Sequence, residues 1–152
     1  MPDAWRIVKE KHAAVAFSGE GANKAGGRWN SRGVSVVYAS CTRALAALES
    51  LVHLNPPVFF KYVSIQMKFD DSLVEFLPVK GLPADWRVQP PSPSTKAIGD
   101  AWARERRSAV LQLPSVIIPG EANFLLNPAH PDFKKITIGK PEPFAFDARL
   151  LA

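Results

Sequence analysis

A chain of 152 residues, 47% hydrophobic and 22% charged, has the size and balance of one globular domain with a buried core. It has no apolar run near the ~20 residues that cross a bilayer, and Met1-Pro2-Asp3-Ala4-Trp5-Arg6 is no apolar secretory leader, so a cytoplasmic protein off the membrane is expected. The single Cys41 excludes an internal disulfide framework and a cysteine-based zinc cage, while a net charge of +5 suits a phosphate-bearing ligand or an acidic partner.

Trp5-Arg6-Ile7-Val8 reads as a first strand. Ala13 to Phe17 is a short helix or an extended piece. Ser18 to Gly27, with four glycines, is expected as a loop. β-Branched residues then cluster from Gly33 to Ala39, which predicts a strand. Ser40 or Thr42 caps a helix running through Leu54 and stopped by Asn55-Pro56-Pro57. Alternation predicts strands over Val58 to Phe69 and Leu73 to Leu77. Gly81 to Ser94 is proline-rich and polar, a surface loop. Ser94 caps a helix from Thr95 to Arg106. Ala109 to Leu113 is a buried strand, and Val116 to Ile118 continues extended to Pro119-Gly120. Asn127-Pro128-Ala129-His130-Pro131 is a rigid turn. Ile136-Thr137-Ile138 and Phe144-Ala145-Phe146 are closing strands. The pattern fits a single α+β domain over residues 1–152, with a mixed or antiparallel sheet and helices.

Four positions invite chemistry. In "TRALAALESLVHL", Leu45, Leu48, Leu51 and Val52 share one helical face, and Glu49 falls at its edge. A carboxylate there is either a solvated edge residue, paired with His53, or a partly desolvated site group. Arg28 follows Gly26-Gly27, where backbone amides approach an anion closely and a guanidinium grips phosphate in two places. Its bland alternative is a surface Arg in a hairpin. Tyr38 ends the Val34, Val36, Tyr38 alternation, as a platform for a flat ring or an ordinary core tyrosine. Ser115 follows Pro114 at a strand end, as a site residue or a turn serine.

Other chemistries lack support. "GEGANKAGG" carries Lys24 where a dinucleotide fingerprint needs its third glycine. There is no Gly-x-Ser-x-Gly, and His12, His53 and His130 lie far apart, so no metal site is expected. The basic residues are scattered, and their one dense cluster, Arg104, Arg106 and Arg107, contains Glu105; direct nucleic-acid binding is not expected.

Taken in order, "GGRWNSRGVSVVYAS", "ALAALES", "LQLPSVIIPGEANFLLNPAHPDF" and "FAFDARL" resemble the RES domain family, named for an Arg, a Glu and a Ser. The resemblance runs from Trp5 to Leu150 and places those residues at Arg28, Glu49 and Ser115, with the family's strand tyrosine at Tyr38. It implies an ADP-ribosyltransferase-like fold and a toxin of a type II toxin–antitoxin pair. It implies NAD+ as substrate, with no resident cofactor, and an Xre-type helix-turn-helix antitoxin through which alone DNA is met. On this reading Glu49 stabilises the oxocarbenium ion formed as nicotinamide leaves. Arg28 fixes the phosphates, and Tyr38 stacks on nicotinamide or holds the ribose. Ser115 bonds ribose or orients Glu49, and Trp29 walls the cleft or packs in the core. NAD+ is then degraded with water or phosphate as acceptor. The alternatives are transfer of ADP-ribose to a specific protein, and a non-catalytic binding module.

Overall fold

Alternation of side chains along the central strands decides the architecture. The computed structural model describes residues 2–53 and 61–151. Its strands are β1 (Asp3–Lys9), β2 (Val37–Ser40), β3 (Tyr62–Lys68), β4 (Val74–Phe76), β5 (Val110–Pro114), β6 (Ala122–Leu126), β7 (Thr137–Ile138) and β8 (Glu142–Phe144). On β5, Val110 faces one core cluster while Leu111 and Leu113 face another. On β6, Phe124 and Leu126 join the first and Leu125 the second. The sheet centre is therefore buried on both faces, which is why these strands are almost wholly apolar.

The strand order is β4-β5-β6-β2-β1-β3-β7, and β8 also pairs with β3. β4 and β5 run parallel; the other pairings are antiparallel. The sheet is thus mixed, as expected of this α+β chain. Helix α3 (Pro93–Arg104) closes one face through Trp102, which packs with Trp29, Val36 and Leu111. Phe69, Leu73 and Phe124 fill the other. Burying a side chain of this size contributes about 1.5–3 kcal/mol. None of the described helices is long and apolar enough to cross a membrane.

Several elements depart from the pattern reading, each for a local reason. Residues 18–27 are not all loop: Glu20–Ala25 forms the short helix α1, entered through Gly19 at φ 79°. The paired strand β2 is only Val37–Ser40, although Val34 and Val36 are buried before it. Thr42, not Ser40, caps α2 (Arg43–Leu51), its hydroxyl accepting from the Leu45 amide at 3.0 Å. The helix ends at Leu51, with Val52 and His53 in a turn, short of the expected run; Leu54, the Asn55-Pro56-Pro57 stop and the start of the third strand at Val58 lie outside the described residues. On α2 the buried positions are Leu45 and Ala46, while Val52 is 60% exposed. Ser92 caps α3 instead of Ser94, with Pro93 in the first helical turn.

The largest departure is Val116–Ile118. These β-branched residues form no strand; they lie in the hairpin loop between β5 and β6. The Ser115 hydroxyl accepts from the amides of Ile117 and Ile118, both at 3.1 Å, and curls the chain. Gly120, at φ 87°, completes the reversal. The strand itself, β6, begins later and was not anticipated.

Candidate active site

Glu49 stands on the last full turn of α2, facing the adjoining ends of β5 and β6. Its Oε1 accepts from the Ser115 hydroxyl at 3.0 Å and from Asn123 Nδ2 at 2.7 Å. Both bonds converge on one oxygen. Glu49 is half-buried, and its partners here are Ser115 and Asn123, not His53.

Ser115 is 2% exposed, and its hydroxyl is fully committed. The oxygen accepts two backbone amides, so its single proton goes to Glu49. A hydroxyl used this way orients a carboxylate and is no free nucleophile. Asn123 is held in turn. Its Oδ1 accepts from Ser40 at 2.8 Å, and the two residues are directly paired across β2 and β6. A buried serine on one strand thereby fixes the amide that grips Glu49.

Arg28 sits opposite, on the turn that follows α1. Partial burial lowers its pKa, and the nearby Glu49 carboxylate opposes that shift, so the two charges feel each other. The turn is held by side chains. Tyr38 donates its hydroxyl to Asn30 Oδ1 at 2.7 Å and accepts the Trp29 amide at 3.1 Å. Asn30, fully buried, donates to the carbonyls of Ala22 and Val34. From α3, Lys96 Nζ donates to the Gly27 carbonyl at 2.6 Å. Asp100 accepts from the amide and hydroxyl of Ser31 at 2.8 and 2.6 Å. Gly27 is required by close approach: a Cβ there would stand 2.5 Å from the Tyr38 hydroxyl.

Tyr38 therefore spends its phenol head on the Arg28 turn. Burial also pushes its pKa well above the ordinary tyrosine value, so it stays a neutral donor. Behind it, Arg6 donates to the carbonyls of Tyr38 and Ala16 at 2.8 and 2.9 Å. Burial lowers the Arg6 pKa to about 10, which leaves it cationic at neutral pH. Trp29 is 3% exposed and packs with Trp102 in the core, so its side chain seats the turn and does not wall a cleft.

The structure thus bonds Ser115 to Glu49 and sets Arg28 within electrostatic reach of Glu49 and Tyr38, with Trp29 in the core. Residue patterns missed Asn123, Asn30, Lys96 and Asp100. Asn123 had one readable signal, a polar residue inside the apolar run "ANFLL". A shallow cavity of about 270 Å³ between Arg104, Arg106 and Ala129 contains none of these residues.

The RES domain matches residues 3–147. The chain belongs to the RES-domain family. It is 41% identical over 154 residues to the "Prs ADP-ribosylating toxin" of a Sphingobium species, covering 97% of this chain and 95% of that one. It is 36% identical over 148 residues to "Toxin Res" of Yersinia enterocolitica, covering 96% and 97%. Its fold is similar to a chain of the M. tuberculosis MbcT–MbcA toxin–antitoxin complex, with a TM-score of 0.69 at 17% identity over 94% of this chain and 84% of that one. That likeness is one of fold, an α+β architecture with a mixed sheet. Two of these relatives are named as toxins, and the structural neighbour is part of a toxin–antitoxin complex.

Proposed function

We propose that this RES toxin consumes NAD+ by breaking the nicotinamide N-glycosidic bond, with water or phosphate as acceptor, and so arrests growth until an Xre-type antitoxin neutralises it. The observation that carries the reading is the one-sided grip on Glu49. Ser115 and Asn123 both bond Oε1, so Oε2 is the oxygen directed to a substrate.

The chemistry asks for little more. Nicotinamide in NAD+ is already cationic, so the electron pair of the C1′–N bond leaves with it as a neutral molecule and no acid is needed. Positive charge develops on the ribose. A fixed carboxylate beside it stabilises that charge, and a hydrogen bond from a ribose hydroxyl to Oε2 aligns the sugar. Water then adds and releases a proton, or phosphate adds directly. Arg28 answers the phosphates, on a turn that Tyr38 keeps in place. The +5 net charge complements an acidic antitoxin surface.

A second reading shares this first step and differs in the acceptor. The 41% identical relative is named for ADP-ribosylating Prs, which favours a protein side chain as acceptor here too. One experiment separates them. Purified protein is incubated with NAD+, with and without phosphate, and nicotinamide release and product mass are followed. Free ADP-ribose or its phosphate, absent in Glu49→Gln, supports degradation. Labelled protein with little free product supports transfer. No nicotinamide release with either water or phosphate present removes degradation and leaves transfer to a specific protein or the non-catalytic module.

A further inference from the structure

Residues 83–92, the loop entering α3, cross in front of Arg28. Arg28 Nη1 donates to the carbonyls of Trp86 and Val88 at 3.0 and 2.7 Å, and Nη2 donates to Gln89 Oε1 at 2.8 Å. A guanidinium carries five N–H donors. These bonds occupy both donors of Nη1 and one of Nη2, which leaves the Nε–H and the second Nη2–H for a ligand. The same bond fixes the Gln89 amide. With its oxygen committed to Arg28, its NH2 group lies one carboxamide width away and brings two further donors.

The loop does not depend on Arg28 for its shape. The Asp85 carboxylate accepts from the hydroxyls of Ser92 and Ser94 at the head of α3, both at 2.6 Å. Trp86 packs against the core cluster of Trp29 and Trp102. Arg87 leans on the Trp86 ring and reaches the Val116 carbonyl, just beyond Ser115. A segment anchored this way is a support for the guanidinium, not a plug that an anion must expel.

We infer that Gln89 is a further substrate-binding residue: its carboxamide aims Arg28 through Oε1 and sets its own NH2 beside the remaining guanidinium donors, forming one composite site for a diphosphate. A diphosphate offers acceptor oxygens on both phosphorus atoms, which suits four donors spread over two side chains better than one Arg alone. The inference rests on the NAD+ reading only for which diphosphate is bound.

The test is calorimetric titration of inorganic pyrophosphate into the full chain, into Gln89→Leu and into Gln89→Glu, with thermal melts to confirm folding. Gln89→Leu keeps the side-chain volume and is expected to weaken binding about tenfold, the size of one hydrogen bond to a charged group. Gln89→Glu places a carboxylate on Arg28 and is expected to abolish binding. If Gln89→Leu fails to fold, Gln89→Met gives the same comparison. Wild-type or tighter binding in the apolar variant overturns the inference, because the loop would then be neutral or a competitor. Absence of pyrophosphate binding in the wild type overturns it as well. Nicotinamide release is scored separately: if it is absent while pyrophosphate binding still depends on Gln89, the NAD+ reading falls and the diphosphate site stands.

Discussion

The carboxylate half and the arginine half of this site are built by different means. Glu49 stands on a helix, and its two donors stand at paired strand ends, so regular backbone bonding sets their separation. Arg28 stands on no regular element. Its turn is shaped by Tyr38, Asn30, Lys96 and Asp100, and by the loop of residues 83–92. A lesion in the first half should change chemistry and spare the fold. A lesion in the second should move a turn, and with it both binding and stability.

The sharpest test of that division is Glu49→Gln. It keeps the shape and removes the charge, and nicotinamide release should fall by about 10²–10³ with an unchanged melting temperature. A variant retaining a tenth of wild-type turnover would break the assignment. Asn123→Ala comes next. Loss of a bond to a charged carboxylate is worth about 1.5–3 kcal/mol, so kcat should drop by roughly 10- to 100-fold with KM little altered. A change in KM alone would show that Asn123 binds substrate and does not position Glu49.

On the arginine side the strongest lesion is Gly99→Ala in α3. Its Cβ would stand 1.7 Å from the Trp29 carbonyl, so the helix and the Arg28 turn must separate. Destabilisation of about 1–3 kcal/mol in urea unfolding is expected, together with a raised KM for NAD+. Gly21→Ala, with nothing within 4 Å of the added Cβ, is the matched control and should be neutral or slightly stabilising. Equal behaviour of the two would mean that α3 does not seat the turn. The smallest effect belongs to Arg107→Ala, which breaks a half-exposed pair with Glu75 at 2.8 Å, away from both halves. It should cost under about 1 kcal/mol and leave turnover alone.

What could be read from the sequence follows the same division. Helical periodicity put Glu49 at the edge of a face of Leu45, Leu48, Leu51 and Val52; of that face only Leu45 is buried, joined by Ala46, and Val52 is exposed. Alternation located β3, and short apolar runs located β1 and β5. These signals failed at Val116–Ile118, where a serine hydroxyl outweighs β-branched propensity, and at β6, where the polar Asn123 interrupts a short apolar run. The arginine turn was visible only as glycines and an Arg. Its supports come from residues as distant as Asp100, and side-chain bonds across that separation leave no periodic trace. The order of the RES blocks supplied what periodicity lacked.

The place of β6 in the sheet also has a consequence for how the toxin comes into being. This strand, Ala122–Leu126, lies between β5 and β2 and joins the two sides of the sheet. It also carries Asn123 and closes the hairpin that presents Ser115. A nascent chain still short of residue 126 holds Arg28 and Glu49 but no frame to set them against each other. Translation thus runs most of its course before Glu49 gains the bonds from Ser115 and Asn123 that hold it in place.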